Sequence, residues 1–456
     1  VIERFRDFDS TDAGLRRAMG DKGRHIEGTH ADDAHLRIVG GEQQRSAVLV
    51  KKRRFRLDTR ALHQRQRFVQ NPSLGDCKDD RFSHNGRALG AEGRKGNMAD
   101  SFGIGVLDDQ RVADGIAFQA EHCRRNGAPV TARIVDAQLA LMAGDTLCGQ
   151  RIAHWPGLPL EDAMPLRLAG GFHHLLLTNA DSRLSPVYAG LITDQSEVDA
   201  IVEAVTIDHD QRLLPWLDGP PQTNEAGRSA SFMAGLLWLS DKVGSRFELN
   251  EIGASAGINT MMERYHYDLG GVEAGPDTSP MRIKPEWRGP PPPKAEVEIV
   301  HISGCDQSPV DLSDPDAALR VKSYVWPENA GRLERMDAAI ALAAQKRPDI
   351  IKADALDWVL ERLSAPQDAG VARVFNHSIV WQYIPAERRA AITDAIEAHG
   401  RNATAERPLV WMMLETNRET FKHELQLRYW PGPPQWHLLA EAQAHGTWVE
   451  WLAEES

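Results

Sequence analysis

The segment Phe247-Glu248-Leu249-Asn250-Glu251-Ile252-Gly253-Ala254-Ser255-Ala256-Gly257 decides the fold class of this chain. Its first half, Phe247–Ile252, is a short apolar run typical of a buried strand, and Gly-x-Ser-x-Gly follows directly. Glycine permits a tight turn and lets a ligand come close to the backbone. A helix is expected over Ala256–Tyr265, where free N–H groups in the first turn would favour an anionic group. The segment therefore predicts a strand–turn–helix unit shaped to hold a nucleotide-type ligand.

The rest of the C-terminal half alternates between strands and helices. Helices are expected over Ala330–Gln345 and Ala386–His399, where apolar residues recur at the helical period. Apolar or alternating runs predict further strands at Glu296–Ile302, Ile350–Ile351, Ala372–Phe375, Leu409–Leu414, Leu425–Tyr429 and Thr447–Trp451. Such alternation indicates a parallel sheet. The last two strands, with only a short helix expected between them, indicate an antiparallel strand at one edge.

These patterns divide the chain into parts. Residues 245–456 are predicted to form a Rossmann-like α/β domain, with a mainly parallel sheet and an antiparallel edge strand. Within it, Gly270–Pro293 is expected to be a long loop, either an excursion or a lid. Residues 98–244 carry apolar residues at helical spacing, from Asp108–Arg124 through Asn224–Leu239, and are predicted to form an α-helical domain that precedes the sheet.

Residues 1–97 differ in composition from the rest. Lys and Arg outnumber Asp and Glu there, as in Lys51–Arg56, although the whole chain has a formal net charge of −12. The segment has neither helical nor strand periodicity, so it can hardly bury enough apolar area to offset its chain entropy. Three interpretations stay open: a basic arm for nucleic acid or a membrane, a disordered tail, or sequence upstream of a true start at Met98.

The bulk composition is that of a globular protein and argues against some classes of partner. The 42% hydrophobic and 26% charged residues are ordinary for such proteins. The negative net charge argues against a general nucleic-acid binder, and no apolar run reaches the roughly 18 residues needed to cross a bilayer. Four scattered cysteines without a CxxC pair fit reduced thiols in the cytoplasm. We therefore expect a cytoplasmic protein without a metal site, and leave its oligomeric state open.

Two further acids follow predicted strands. Asp306 comes after the strand Glu296–Ile302, and Asp354 comes after Ile350–Ile351. In a doubly wound sheet, ligands lie at the carboxyl ends of the strands. An acid at that edge can accept hydrogen bonds from ribose hydroxyls or from an exocyclic amine. Each acid alone is also a common helix N-cap, but with Glu251 they make three acids after three successive strands, which favours a ligand site.

The Gly-x-Ser-x-Gly turn has a second interpretation. It matches the nucleophile elbow of α/β-hydrolases, in which Ser255 would be the nucleophile. An acid and a histidine must then come later in the chain, and Asp354, Glu415, His423 and His445 could supply them. The acid directly before the first glycine has no role in an elbow, so the nucleotide interpretation is preferred. A purely structural turn is the third possibility.

The motif Gln222-Thr223-Asn224-Glu225-Ala226-Gly227-Arg228 places polar groups at a predicted helix start. Asn224 can cap the helix, and Glu225 and Arg228 stand three residues apart on one helix face. The motif is either a cap with a surface pair or a substrate-recognition helix that folds over the sheet. In the second case, Asn224 and Arg228 would contact the substrate.

Several motifs in order resemble a bacterial family of unknown function, the DUF2332 proteins. The resemblance covers roughly residues 105–452 and carries no established activity. The matching motifs are Pro165–Gly171, Gln222–Arg228, Glu251–Asn259, Val325–Glu328, Asn376–Ser378 and His445–Gly446. The Gly-rich turn and the following acids also resemble Rossmann-like methyltransferases that use S-adenosylmethionine, which is a likeness of fold alone.

The methyltransferase resemblance implies roles for individual residues. Glu251 would hold the amino end of the cofactor, with Gly253, Ser255 and Gly257 beside its methionine part. By the same likeness Asp306 would bind the ribose and Asp354 the adenine amine.

The chain departs from the methyltransferase pattern in two ways. The gap from Gly257 to Asp306 is about twice the roughly 20 residues expected, which implies an insertion. The fourth strand ends in Asn376-His377-Ser378 instead of an Asn/Asp-Pro-Pro-aromatic motif.

Three hypotheses about function follow. The first is a methyltransferase for a small molecule, or an adenosyl-ligand-binding relative, in which His377 or Glu225 assists deprotonation of the acceptor. The second is an esterase with Ser255 as nucleophile. The third is a ligand-sensing protein that kept the fold without catalysis. A structural role for His377, bonded to backbone, is an equally open alternative.

Overall fold

A nine-stranded sheet lies at the centre of the computed structural model, which describes residues 112–222, 224–420 and 422–453. The expected strand Phe247–Ile252 is confirmed as β1, and all the other predicted strands are present with shifted ends. The strands are β1 Arg246–Ile252, β2 His266–Leu269, β3 Val272–Ala274, β4 Arg282–Ile283, β5 Glu286–Arg288, β6 Glu298–Asp306, β7 Ile350–Lys352, β8 Ala372–Ser378, β9 Leu409–Thr416, β10 His423–Trp430, β11 His437–Ala442 and β12 Trp448–Trp451.

The large sheet has the order β5-β12-β11-β10-β9-β8-β1-β6-β7. Its strands from β9 to β7 all pair in parallel, as does β5 with β12. Strands β9 to β12 form an antiparallel meander. The protein is thus a mixed α/β protein with a large, mostly parallel central sheet, as the strand–helix alternation predicted.

The meander corrects two sequence expectations. The antiparallel part is a run of three pairings, β9–β10–β11–β12, and not a single edge strand. The short helix expected before the last strand is instead β11, His437–Ala442. Its Leu and Ala residues favour helices in isolation, but the open edge of β10 offers a ladder of backbone hydrogen bonds, and tertiary pairing prevails.

The expected loop Gly270–Pro293 is also partly strand. Strands β2, β3 and β4 form a separate small sheet, and β5 joins the far edge of the large sheet. Trp287 of β5 stacks on Trp451 of β12, with ring centroids 6.0 Å apart. The segment from β2 to β5 occupies most of the insertion between Gly257 and Asp306. The register of β5 is set by β12, which lies far away in the sequence.

Helices precede the sheet and then alternate with its strands. Those before β1 are α1 Val112–Arg125, α2 Pro129–Asp136, α3 Gln138–Leu141, α4 Leu147–Ala153, α5 Met164–Leu177, α6 Ser185–Tyr188, α7 Gln195–Leu213 and α8 Ser229–Val243. Those after it are α9 Pro315–Ser323, α10 Ala330–Gln345, α11 Ala355–Ser364 and α12 Ala386–Gly400. The predicted helices Ala330–Gln345 and Ala386–His399 are thereby confirmed.

The sheet is covered on both faces. Residues of α8 and α10 share one apolar core with β1, β9 and β10, which includes Phe232, Phe247 and Met336. On the other face α11 and α12 bury Trp358 and Ile392 against the sheet. Helices α1 to α7 have a core of their own. Within the described ranges, no helix is both long and apolar enough to cross a membrane.

The largest local difference from the prediction concerns the α-helix expected over Ala256–Tyr265. The turn leads instead into a 3₁₀ helix of six residues, Asn259–Arg264. The N–H of Ile258, one residue before it, donates to the Asn224 side chain at 2.7 Å. The first turn of a long helix, which the sequence suggested as an anion site, is therefore not formed here. The predicted extension 1–97 lies outside the described residues.

Candidate functional site

A cavity of about 720 Å³ lies at the carboxyl ends of β1, β6, β7 and β8. From β1 the chain proceeds to β6 and β7 on one side, and the later strands β8 and β9 lie on the other. The strand order therefore changes direction between the neighbouring strands β1 and β8. Doubly wound sheets bind their ligands at such a switch point. A cavity of this size suits a small organic molecule or cofactor.

The Gly-rich turn borders the cavity through Gly253 and Ser255. Gly253 has φ +73° and Ser255 has φ +53°, both in the left-handed region. A Cβ on Gly253 would lie 2.3 Å from a methyl carbon of Val380. The need for glycine at this position therefore already follows from backbone and packing, without a ligand. Gly257, with φ +72°, faces Ile350 and does not line the cavity.

Asp306 lines the cavity at the end of β6. One carboxylate oxygen accepts the N–H of Ser255 at 2.9 Å, and the other accepts the N–H of Ser308 at 2.8 Å. An ionised carboxylate has about four acceptor positions, so these two bonds leave further positions available. Asp306 ties the turn after β1 to the loop after β6 and still borders the open space.

Asp354 lines the same cavity at the end of β7. It is the N-cap of α11 and accepts the N–H of Leu356 at 2.9 Å. Arg388 lies 3.2 Å from the same carboxylate oxygen. The helix-cap interpretation of Asp354 is thus confirmed, and its contact with a nucleoside stays a prediction.

Glu251 lies beneath the turn and outside the lining of the cavity. Its side chain is buried, and it accepts a hydrogen bond from the Thr260 hydroxyl at 2.6 Å. Burial raises the pKa of Glu251 to about 7, against the lowering effect of the hydrogen bond from Thr260. The side chain connects the end of β1 to the 3₁₀ helix, so its geometry supports a positioning role rather than direct contact with a ligand.

The motif at 222–228 separates into different roles. Asn224 and Arg228 are buried and line the cavity, whereas Glu225 does not line it. Glu225 binds Arg332 at 2.7 Å and Arg335 at 3.0 Å. Burial would raise the pKa of Glu225, but these two guanidinium groups hold it below its ordinary value. A carboxylate held in this way is a poor proton acceptor, which weakens the hypothesis that Glu225 is a base.

His377 is fully buried and lies outside the lining of the cavity. The indole N–H of Trp411 donates to its Nε2 at 3.1 Å, so the ring proton resides on Nδ1, which donates to Glu415 at 2.7 Å. Trp381 stacks on the imidazole. Both ring nitrogens are bonded, to side chains and not to the backbone as the sequence suggested. This geometry favours a structural His377 over a general base.

Glu415 links His377 to the loop that follows β8. The Glu415 oxygen that accepts from His377 also accepts the N–H groups of Val380 and Trp381, at 3.1 and 3.2 Å. Ser378, Ile379 and Val380 line the cavity. The histidine and the carboxylate therefore shape the loop that borders the cavity after β8.

Two cavity residues were not among those that the sequence assigned to cofactor or substrate binding, although His445 was named as a possible partner of Ser255 in the esterase hypothesis. Arg332 of α10 lines the cavity beside Glu225, and His445 lines it from the loop between β11 and β12. Burial, followed by the charge of Arg332, lowers the pKa of His445 to about 3, so its ring is neutral in neutral solution. The signal for His445 was its place in the motif His445–Gly446, whereas Arg332 carries no motif.

The motifs that carry the family resemblance converge on this cavity, and each contributes to its lining. Close backbone contact joins two of them, because a Cβ on Gly227 would lie 2.4 Å from the carbonyl oxygen of His445. Glu328 joins the sheet region to the helices by accepting the N–H groups of Val130 and Thr131 at 2.6 and 2.8 Å. The motifs thus describe one structural unit around the cavity.

Over the described residues, no group of three or more His, Cys, Asp and Glu could hold a metal ion.

Comparison with known proteins identifies a family and no activity. No curated protein and no solved structure matches the chain. The profile of a family described as "Uncharacterized protein conserved in bacteria (DUF2332)" matches residues 113–451, and the chain therefore belongs to the DUF2332 family.

Proposed function

We propose that this protein binds S-adenosylmethionine in the cavity and transfers the methyl group to a small molecule. The observation that carries the proposal is the common placement of Asp306, Asp354 and the Gly-rich turn around one cavity, after three neighbouring parallel strands. The order β7-β6-β1-β8-β9 corresponds to the order 3-2-1-4-5 of a Rossmann-like sheet. That correspondence supports a Rossmann-like assignment beyond the mixed α/β class.

The residues present fit an adenosyl ligand on the β6–β7 side of the cavity. Asp306 would accept hydrogen bonds from the ribose hydroxyls, and Asp354 would accept one from the adenine amine. The backbone at Gly253 and Ser255 would lie beside the amino-acid part. Glu251 would act indirectly by holding the turn, since it lies outside the cavity lining and one of its carboxylate oxygens accepts from Thr260.

Positioning would supply most of the rate enhancement. S-adenosylmethionine brings an activated methyl group on a positively charged sulfur. The chain's own residues would bind the acceptor beside that group and exclude water, and such orientation lowers barriers by several kcal/mol, about 7–11 in favourable cases. Because His377 and Glu225 are fully bonded elsewhere, the proposal assigns neither of them the removal of a proton.

The test is calorimetric titration of the purified full chain with S-adenosylmethionine. Asp354→Ala and Asp314→Ala form a matched pair, since both aspartates cap helices through backbone N–H groups and only Asp354 lines the cavity. Each variant should lose about 1 kcal/mol of stability. Only Asp354→Ala should bind the ligand about fivefold to tenfold more weakly, as loss of one hydrogen bond predicts.

Two results would contradict the proposal. One is a wild-type chain that does not bind S-adenosylmethionine at millimolar concentration. The other is unchanged affinity in Asp354→Ala. Binding without methylated product across a panel of small acceptors would instead favour the ligand-sensing alternative.

One observation favours the esterase as a second candidate. Ser255 combines a left-handed φ of +53° with a place in the cavity lining, as a nucleophile elbow requires. Against it, no histidine among the described residues hydrogen-bonds to the Ser255 hydroxyl, and the turn enters a 3₁₀ helix. Covalent labelling of the wild type by a phosphonate ester, lost in Ser255→Ala, would establish the esterase.

A further inference from the structure

Arg228 is a buried cation without a carboxylate partner. The residue is only 7% exposed and lies in the wall of the cavity. Its Nε donates to the carbonyl oxygen of Ala444 at 2.8 Å, the one hydrogen bond that its side chain makes within the described part of the chain. No carboxylate of that part comes within 4 Å of its guanidinium group. A buried charge without an ionic partner is costly, which indicates that a ligand completes its environment.

The nearby carboxylates are committed elsewhere. Glu225 binds Arg332 and Arg335. Glu415 accepts from His377 and from two backbone N–H groups. Arg332 and Arg388, which also line the cavity, have carboxylate partners. Among the described residues, the positive charge that borders the cavity without an ionic partner is therefore that of Arg228.

In a second buried arginine, Arg167, neutral groups of the protein stabilise the charge without an anion. Arg167 is 8% exposed and also lacks a carboxylate within 4 Å among the described residues. It donates to the carbonyl oxygens of Asp162 and Leu217 at 2.8 and 3.1 Å. Its guanidinium also lies 5.0 Å from the centre of the Trp155 ring. Within the described ranges, the Arg228 side chain has one carbonyl acceptor where Arg167 has two, and it stacks on no aromatic ring. Arg228 also borders a cavity, whereas Arg167 does not.

The groups beside Arg228 suit a carboxylate. Asn224 lines the same cavity, and the neutral ring of His445 has a buried Nδ1 with no hydrogen-bond partner in the described residues. A single uncompensated positive charge matches a monoanion better than a phosphate dianion. The planar guanidinium also matches the two oxygens of a carboxylate.

We infer that Arg228, with His445 and Asn224 beside it, anchors the carboxylate of a small molecule bound in the cavity. Helices α1, α2 and α5 contribute Phe118, Ile134 and Leu166 to the same cavity, so an apolar body is accommodated as well. As a statement about the methyl acceptor, the inference rests on the proposed function. The anion anchor itself does not.

The carboxylate has two possible sources, the acceptor or the amino-acid part of S-adenosylmethionine. Benzoate and its neutral analogue benzamide are the probes for the first source. S-adenosylmethionine and 5′-methylthioadenosine, which lacks the carboxylate, are the probes for the second. Affinities are measured by calorimetry and by ligand-dependent melting temperature on the full chain.

The variants are Arg228→Met, the conservative Arg228→Lys, and Arg167→Met as the matched buried control. If the acceptor supplies the carboxylate, benzoate binds the wild type at least tenfold more tightly than benzamide. That preference is then lost in Arg228→Met, weakened in Arg228→Lys and kept in Arg167→Met. If S-adenosylmethionine supplies it, Arg228→Met weakens that ligand at least tenfold and leaves 5′-methylthioadenosine unchanged.

The inference is overturned if neither benzoate nor S-adenosylmethionine loses affinity in Arg228→Met, or in Arg228→Lys should the methionine variant not fold. Failure of the proposed function gives a different result. In that case the wild type binds neither adenosyl probe and still prefers benzoate to benzamide through Arg228.

Discussion

The Asp306 carboxylate accepts a hydrogen bond from the backbone N–H of Ser255 across a distance of 2.9 Å. The bond joins the loops that follow β1 and β6, two parallel neighbours in the sheet. Because Ser255 has a left-handed φ of +53°, the bond helps to hold an unfavourable backbone conformation at the edge of the cavity. Asp306 is therefore tied to the shape of the turn as well as to its proposed ligand.

Asp306→Ala should lower both stability and ligand affinity. Two backbone N–H groups lose their acceptor, which costs about 1–3 kcal/mol. Loss of the ribose contact should weaken S-adenosylmethionine about tenfold to a hundredfold. Asp311→Ala is the control, since Asp311 accepts the N–H of Ser313 two residues on and lies outside the cavity lining. Reduced melting temperature with unchanged affinity in Asp306→Ala would remove the nucleoside role.

Glu251→Gln should stabilise the protein at pH 8. Burial raises the pKa of Glu251 to about 7 in the folded state, against about 4.3 in the unfolded chain. The folded state thus holds a proton that the unfolded state has lost, so stability falls as pH rises from about 4 to 7. The amide removes that dependence and keeps an acceptor for Thr260.

The expected gain for Glu251→Gln is on the order of 3 kcal/mol at pH 8 and vanishes near pH 4. Chemical denaturation of both proteins across this pH range measures it. Parallel stability curves for wild type and variant would show that Glu251 does not titrate in this window.

Strong local patterns explain which elements the sequence could predict. The buried strand β1 and the amphipathic helices α10 and α12 are encoded by their own periodicity. Strand β11, His437–Ala442, has helix-forming residues and becomes a strand because it pairs with the free edge of β10. The 3₁₀ helix Asn259–Arg264 is held by Asn224, which is remote in sequence.

The candidate site shows the same division. Asp306, Asp354, Ser255, Asn224 and Arg228 line the cavity because strand ends and the motif at 222–228 meet there. Glu251 and His377 do not line it, because both faces of the sheet are covered and residues within β1 and β8 pack under helices and neighbouring strands. Whether a side chain in a doubly covered strand reaches the cavity depends on tertiary packing that no local pattern records.

His377→Asn should lower stability and leave ligand affinity unchanged. The asparagine amide can still donate to Glu415, but the Trp411 N–H loses its acceptor in a buried site. An unsatisfied buried donor costs about 1–3 kcal/mol. Melting temperature and S-adenosylmethionine affinity are measured on the same sample. An affinity that falls more than tenfold in a variant of near wild-type stability would return His377 to the ligand site.

Glu225→Gln should be among the most destabilising single changes at the cavity. Glu225 is buried between Arg332 and Arg335 at 2.7 and 3.0 Å, and the amide leaves both cations without their counter-charge. Breaking a buried ion pair from one side typically costs about 3–5 kcal/mol. The control is Glu298→Gln, whose partner Arg246 is 3.0 Å away on the surface, and which should cost less than about 1 kcal/mol.

Urea denaturation of these two variants separates a structural Glu225 from a catalytic one. A structural ion pair predicts a large loss of stability in Glu225→Gln and a small one in Glu298→Gln. If Glu225 is a general base, the Glu225→Gln variant should stay nearly as stable as the wild type and lose methyl transfer. Since Glu225 lies outside the lining of the cavity and both of its oxygens bind arginines, we expect the first result.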